Sequence, residues 1–170
     1  KANQAAADPQ QTITAIKAMQ AKSPESFSEF FSKKITEVEA AVSQQIQEQV
    51  DSAKTLIAAD KFEDAAAGLN ALLKRFPDQP NARKSIEAML LQNVEAQQAE
   101  ITQKAKSADY AAALAGVEHA KKLTGTLGAF FTQPQELQSK LDQVKGQVEH
   151  DQALLKKAQD VLAMTAGAEQ

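Results

Sequence analysis

Two stretches of this chain repeat each other at a fixed separation, and this repeat constrains the fold more than any other feature. Apolar or small side chains of the first stretch return in the second stretch with the same spacing. The paired positions are Val38 and Ile86, Val42 and Leu90, Ile46 and Val94, Ala53 and Ile101, Ile57 and Ala105, Phe62 and Tyr110, Ala65 and Ala113, and Leu69 and Val117. We call the separation from Val38 to Ile86 the repeat period; one of this length is typical of stacked supersecondary units that cover one another's apolar stripes.

The composition indicates that these units are helical. The chain has 170 residues, is rich in Ala and Gln, and contains one Tyr and no Trp. Ala and Gln favour helices, whereas strands favour β-branched and aromatic residues. The apolar positions from Ile35 to Ile57 make six steps whose mean is close to the ~3.6 period of a straight amphipathic helix, so a coiled coil is the weaker interpretation. We therefore predict an all-α fold of stacked antiparallel helical hairpins.

The helix boundaries follow from Pro, Gly and capping residues within one all-helical domain, residues 1–170. The predicted segments are a loose N-terminus at 1–8, short helices at 9–31, a first hairpin at 33–76, a second at 80–124 and a C-terminal capping helix at 134–164. Asp8 is expected to cap a helix that begins at Pro9, and Pro24 to begin a short separate helix. Asp60 and Ser107 are expected to cap the second helix of each hairpin.

The capping helix matches the first helix of a hairpin, but no return helix follows it. Its apolar positions align with those of the second hairpin at an offset slightly longer than the repeat period, so that Val144 corresponds to Leu90. The aligned positions of the capping helix are Val144, Val148, Leu155 and Leu162. We expect one polar outer face on this helix and fraying from Thr165 onward.

The segment Asp60-Lys61-Phe62-Glu63-Asp64-Ala65, followed by Leu72-Leu73-Lys74-Arg75-Phe76-Pro77, resembles the second half of a tetratricopeptide repeat. An aromatic residue lies three positions before Ala65, and Pro77 lies twelve positions after it. Tyr110 and Ala113 keep the first spacing, although Gly125 replaces the proline. The period of 48 exceeds the family's 34 because the first helix of each pair is longer. The resemblance implies a right-handed array in which Ala65 and Ala113 are buried where two helices approach closely.

In that family, the first helices of the pairs line the face that binds peptides or partner proteins. The corresponding positions here are Gln47, Lys54, Glu95, Gln98, Thr102 and Lys106. Their polar side chains can hydrogen-bond to an extended peptide backbone, and the neighbouring Val50 and Ile57 would contact an apolar side chain of the ligand. Lys54 and Lys106 supply too little positive charge for a phosphate or carboxylate clamp, so a neutral or mixed peptide is expected.

Other classes of function lack support in the sequence. The chain has no Cys, a net charge of −3 without a basic stripe for nucleic acid, and no apolar run of membrane-spanning length. It contains no nucleophile motif, phosphate-binding loop or zinc-protease motif. His119 and His150 each follow Val-Glu, but helices antiparallel about residue 129 would separate them by roughly 16 Å along the axis. We therefore expect no enzymatic activity, no metal and no cofactor.

Two phenylalanine pairs, Phe30-Phe31 and Phe130-Phe131, are expected at helix ends. Adjacent helical residues point about 100° apart, so both members of a pair cannot face one core. Either one member packs under a loop while the other covers a neighbouring helix, or the pairs mark a contact with another chain. Both interpretations stay open at this point.

The sequence therefore favours a non-enzymatic helical-repeat scaffold that binds a peptide or protein partner. The alternatives are a structural or self-associating helical protein and a small-molecule binding module between helices; the oligomeric state stays open. The chain starts at Lys1 with an Ala- and Gln-rich segment to Gln11, which favours a bacterial periplasmic or envelope protein over a cytoplasmic one.

Overall fold

The computed structural model describes residues 9–77 and 79–168, and over these ranges the chain is helical without strands. The helices are α1 (Pro9–Lys22), α2 (Ser28–Ala58), α3 (Phe62–Arg75), α4 (Pro80–Lys106), α5 (Tyr110–Thr126) and α6 (Pro134–Ala168), with short 3-10 turns at Glu25–Phe27 and Gly128–Phe130. The predicted all-α class is confirmed. The loose N-terminus predicted at 1–8 and the Asp8 cap lie outside the described residues.

The chain divides into two compact units, Lys1–Ile86 and Glu87–Gln170, with the boundary inside α4. In the first unit, α1 and α3 both pack against α2. Its buried apolar residues are Ile13, Val42, Ile46, Val50, Ala53, Ile57, Phe62, Ala65, Leu69, Leu72, Phe76, Ala82 and Ile86. On α2 these residues recur every three or four positions from Val42 to Ile57, so the apolar stripe seen in the sequence forms this core.

In the second unit, α5 packs against α6, and Ile101 of α4 enters the same core. The buried cluster is Ile101, Ala113, Val117, Ala120, Leu141 and Val148. Ala105, Tyr110, Leu114 and Val144 pack around it and are partly buried. Ala65 and Ala113 are both fully buried, as predicted.

Two ion pairs mark the antiparallel register of α5 and α6. Lys121 Nζ lies 2.7 Å from Asp142 Oδ1, and Lys145 Nζ lies 2.7 Å from Glu118 Oε1. By this register the first residue of α5, Tyr110, is level with about residue 153 of α6. A surface cavity lined by Tyr110 and Gln152, among others, agrees with this placement. The remaining turns of α6, residues 154–168, therefore extend past the start of α5.

The turns α2–α3 and α4–α5 have the same backbone geometry and lie one repeat period apart. Asp60 and Ala108 both adopt the left-handed conformation, with φ of 60° and 59°. The Lys61 amide donates to the Leu56 carbonyl at 2.9 Å, and the Asp60 amide donates to the Ile57 carbonyl at 3.0 Å. These two bonds define a Schellman motif, which satisfies carbonyls at the end of a helix.

The second turn repeats both bonds. The Asp109 amide donates to the Lys104 carbonyl at 3.0 Å, and the Ala108 amide donates to the Ala105 carbonyl at 3.0 Å. Each donor and acceptor lies one repeat period after its counterpart in the first turn. The spacing found in the sequence is therefore also the spacing of these local backbone conformations.

The predicted caps at Asp60 and Ser107 are wrong. The N-cap of α3 is Lys61, which makes no side-chain cap hydrogen bond. The N-cap of α5 is Asp109, whose carboxylate accepts from the Ala112 amide at 3.2 Å. Ser107 instead donates from its hydroxyl to the Gln103 carbonyl at 3.0 Å. The Schellman turns occupy the positions expected for the caps, and the next helix therefore starts later.

The other differences concern helix ends. The short separate helix expected after Pro24 is a 3-10 turn, and α2 runs unbroken from Ser28 because neither Pro nor Gly interrupts it. At the other end of the chain, α6 continues through Ala168, beyond the predicted end at residue 164. The fraying expected from Thr165 stays a prediction.

Candidate functional site

The residues predicted to bind a partner form two polar rows, one on α2 and one on α4. The first polar row is Gln47 and Lys54, both exposed, which lie seven residues or about 10 Å apart on one face of α2. Gln47 Nε2 donates to Asp51 Oδ1 at 3.1 Å, which orients the amide along the helix surface. The carbonyl oxygen of this amide can accept a hydrogen bond, and Lys54 supplies a donor two turns away.

The second polar row is Glu95, Gln98, Thr102 and Lys106. Steps of three, four and four residues keep these side chains on one face of α4. Gln98 is half-buried and the other three are exposed. The Thr102 hydroxyl donates to the Gln98 carbonyl at 2.8 Å, so its oxygen retains capacity to accept. This row combines a carboxylate, an amide, a hydroxyl and an ammonium group.

The two rows occupy matching places in their hairpins. Gln47 and Lys54 precede Glu95 and Thr102 by one repeat period, the spacing of the two Schellman turns. The first row lies in the first unit, and the second row lies in the second unit.

Val50 and Ile57, which we expected to contact an apolar side chain of a ligand, are buried in the core of the first unit. That expectation is wrong, and the first row consists of polar groups.

Sequence reasoning missed a groove between α4 and α5, with a cavity of about 450 Å³. Its lining residues are Gln97, Glu100, Ile101, Lys104, Ala112, Ala115, Gly116 and His119. A Cβ atom at Gly116 would lie 2.8 Å from Ile101 Cγ1, so this glycine permits close approach of the two helices. The recurrence of Ala112, Ala115 and Gly116 on one face of α5 is the signal from which the groove could have been found.

The groove and the second polar row lie on different faces of α4. Gln97 lines the groove and Gln98 belongs to the row, and adjacent helical residues point about 100° apart. Gln97 Nε2 donates to Asn93 Oδ1 at 3.5 Å, whereas its buried Oε1 has no hydrogen-bond partner among the described residues. The groove therefore has a floor of small and apolar residues and charged groups at its rim, Glu100 and Lys104.

The two phenylalanine pairs have different environments. Phe30 is 56% exposed and its ring meets that of Phe31 edge-on at 5.5 Å, so one member of this pair remains accessible. Phe130 and Phe131 are only 3% and 6% exposed, so our interpretation of this pair as a contact with another chain is wrong. Phe130 ends a 3-10 turn and Phe131 is extended, with φ −93° and ψ 144°. Because the two are not in one α-helix, both side chains reach the interior.

The histidines lie closer along the axis than we predicted. The ion pairs place His119 level with about residue 144, so His150 lies roughly six residues, or about 9 Å, farther along α6. The hydrogen bond from Lys145 to Glu118, the residue before His119, lowers the pKa of the Glu118 carboxyl, and the same bond raises the pKa of Lys145.

Among the described residues, no group of three or more His, Cys, Asp or Glu side chains could hold a metal ion.

Within ranges 9–77 and 79–168, none of the helices combines the length and apolar character that crossing a bilayer requires. Comparisons with protein-family models, curated proteins and solved structures find no match for this chain.

Proposed function

We propose that this chain is a non-enzymatic helical-repeat scaffold that binds an extended peptide or a protein segment through its polar rows. The observation that carries the proposal is the equivalent position of the two rows in hairpins whose turns have the same hydrogen bonds. Repeated units that present the same helix face are typical of proteins that bind extended partners.

The chemistry of the rows favours a peptide without strong net charge. The first row offers an amide and an ammonium group, and the second row offers both signs of charge together with neutral donors and acceptors. Such side chains satisfy the amides and carbonyls of an extended backbone. Val50 and Ile57 are buried, so they cannot contact an apolar side chain of the peptide beside the row on α2. We therefore expect modest affinity.

A library of unstructured peptides displayed on phage supplies the probe. The peptide that is selected most strongly is synthesised and titrated into the full chain by calorimetry. Lys54→Ala combined with Gln98→Ala removes one hydrogen-bonding group from each row. At about 0.5–1.5 kcal/mol for each bond, the pair is expected to weaken binding by about 5- to 150-fold. The helical circular dichroism should stay unchanged because Lys54 is exposed and Gln98 is only half-buried.

A matched control changes Lys74 and Gln143 to Ala, which removes an exposed lysine and an exposed glutamine outside the rows. This control should bind as the wild-type chain does. Binding that survives the change in the rows but is lost in Phe30→Ala with Phe31→Ala would move the contact to the start of α2. The proposal would then be wrong.

The groove between α4 and α5 supports a second candidate, a small-molecule binding module. Its cavity of about 450 Å³ falls within the range of small-ligand sites. A fragment library monitored by NMR tests this candidate: shifts at Ala112, Ala115 and Gly116 that Lys104→Ala abolishes would support it, and an absence of shifts there would exclude it. The bacterial envelope location stays a prediction.

A further inference from the structure

The groove between α4 and α5 is lined by one face of each helix. Its α4 residues are Gln97, Glu100, Ile101 and Lys104, and its α5 residues are Ala112, Ala115, Gly116 and His119. Both sets follow the same order of spacings along their helices, which is that of a single helix face. The groove therefore follows both helices over about seven residues, or about 10 Å.

The two ends of the groove differ in chemistry. The Lys104 carbonyl accepts from the Asp109 amide at 3.0 Å within the turn that joins the helices, so Lys104 lies at the turn end of the groove. Gln97 lies at the opposite end, two turns earlier on α4. Between them, Ile101 and Gly116 meet closely and form part of a floor of small and apolar residues. Such a floor suits a methylene chain.

Glu100 and Lys104 carry the charges at the rim of the groove on α4. Glu100 is exposed and Lys104 is half-buried, and among the described residues neither side chain makes an ion pair or a hydrogen bond. They lie four residues apart, or about 6 Å along the helix, a spacing at which Glu and Lys can pair. Because they do not pair, both charges are available to a ligand that carries the opposite charges in the same order.

Gln97 adds an acceptor at the same end as Glu100. Its Oε1 is buried without a hydrogen-bond partner among the described residues, a condition that costs stability. The residue is half-buried, so a rotation of its side chain can present this oxygen to a donor in the groove. An ammonium group has three donors and can reach both this amide and the Glu100 carboxylate. A carboxylate at this end would instead be repelled by Glu100.

We propose that the groove binds a linear ω-amino acid, with its carboxylate at Lys104 and its ammonium group at Glu100 and Gln97. This inference rests on the groove being the small-molecule site of the second candidate function, and it does not depend on the polar rows. The cavity of about 450 Å³ accommodates such a ligand. Because the charged groups are exposed or half-buried, their contacts are weak, and we expect a dissociation constant of about 1 mM.

NMR titrations of the isotope-labelled full chain test the ligand class with 6-aminohexanoic acid, hexylamine and hexanoic acid. These compounds have the same number of carbon atoms and differ in their end groups. The amide signals of Ala112, Ala115 and Gly116 should shift with 6-aminohexanoic acid at concentrations about tenfold lower than with either other compound, because each of those lacks one charged contact. Equal affinity for all three compounds would mean that the groove does not select the two charges, and the proposal would be wrong.

Substitutions at the rim test which charge each residue recognises. Lys104→Ala should weaken binding of 6-aminohexanoic acid about tenfold and leave hexylamine unaffected, whereas Glu100→Gln should weaken 6-aminohexanoic acid without weakening hexanoic acid. Lys106→Ala and Glu95→Gln are the matched controls, because both residues are exposed on α4 and lie outside the groove. These controls should bind as the wild-type chain does. Circular dichroism verifies that all four variants remain helical.

The fragment library separates failure of this inference from failure of the second candidate function. If fragments shift the groove signals and 6-aminohexanoic acid does not, the groove is a small-molecule site and the ligand class is wrong. If neither shifts them, the ligand class and the candidate function are both wrong. Binding of 6-aminohexanoic acid that is unchanged in Lys104→Ala and Glu100→Gln would also overturn the proposal.

Discussion

Gly68 and Gly116 occupy the same place in the two hairpins, one repeat period apart, and should respond differently to the same substitution. A Cβ atom at Gly68 would have no heavy atom within 4 Å. At Gly116 it would lie 2.8 Å from Ile101 Cγ1 and 3.6 Å from Ile101 Cδ1. Both glycines lie inside helices, so each alanine gains helix propensity worth about 1 kcal/mol.

For Gly68→Ala, the helix propensity is the whole effect, and the free energy of unfolding should rise by about 1 kcal/mol. For Gly116→Ala, the new methyl group must displace the buried Ile101, and overpacking of this kind costs about 1–3 kcal/mol. The net effect at Gly116 is therefore between no change and a loss of about 2 kcal/mol. In a chain of this length, 1 kcal/mol shifts the melting temperature by about 2–4 °C.

Urea denaturation followed by circular dichroism measures both variants against the wild-type chain. The double variant Ile101→Ala with Gly116→Ala serves as the control, because it gives the second hairpin an alanine at position 101, as the first hairpin has at Ala53. Its loss of stability should be smaller than the sum of the two single losses. Equal stabilisation by Gly68→Ala and Gly116→Ala would refute the close contact between α4 and α5.

The remaining predictions concern burial, backbone conformation and charge. Ala65→Leu and Ala113→Leu should each lower the free energy of unfolding by about 1–3 kcal/mol in urea titrations, because both alanines are fully buried. Ala108→Gly should raise the melting temperature in calorimetry, because relief of a left-handed non-glycine residue is worth about 1 kcal/mol. The folded-state pKa of Glu118 is lowered by Lys145, so its ion pair stabilises the fold above the ordinary carboxyl pKa and loses this effect as pH falls through the lowered value. A carboxyl-detected NMR titration should show that pKa return to its ordinary range in Lys145→Ala.

The sequence predicted the parts of the fold that depend on periodic burial. The repeat from Val42 to Ile57 became the core face of α2, and the alanines at 65 and 113 became fully buried positions, because apolar spacing fixes which face of a helix is covered. The predictions of the helix caps at Asp60 and Ser107 were wrong for a local reason. The left-handed residues Asp60 and Ala108 carry no glycine signal, so the Schellman turns could not be recognised in advance.

The candidate site was predicted less completely. The membership of each polar row follows from helix register alone, and their role in binding stays a prediction. Val50 and Ile57 were wrongly expected to contact a ligand, because they belong to the buried apolar stripe of α2 itself. The groove beside Gly116 depends on the distance between two helices, which periodicity does not specify.

The proposal tested here is that each polar row binds part of an extended partner. The most direct test is an NMR titration of the isotope-labelled full chain with a peptide selected from the display library. The largest chemical-shift changes should fall on Gln47 and Lys54 of α2 and on Gln98 and Thr102 of α4. Changes confined to the groove from Ala112 to His119, or to the start of α2 around Phe30, would contradict it.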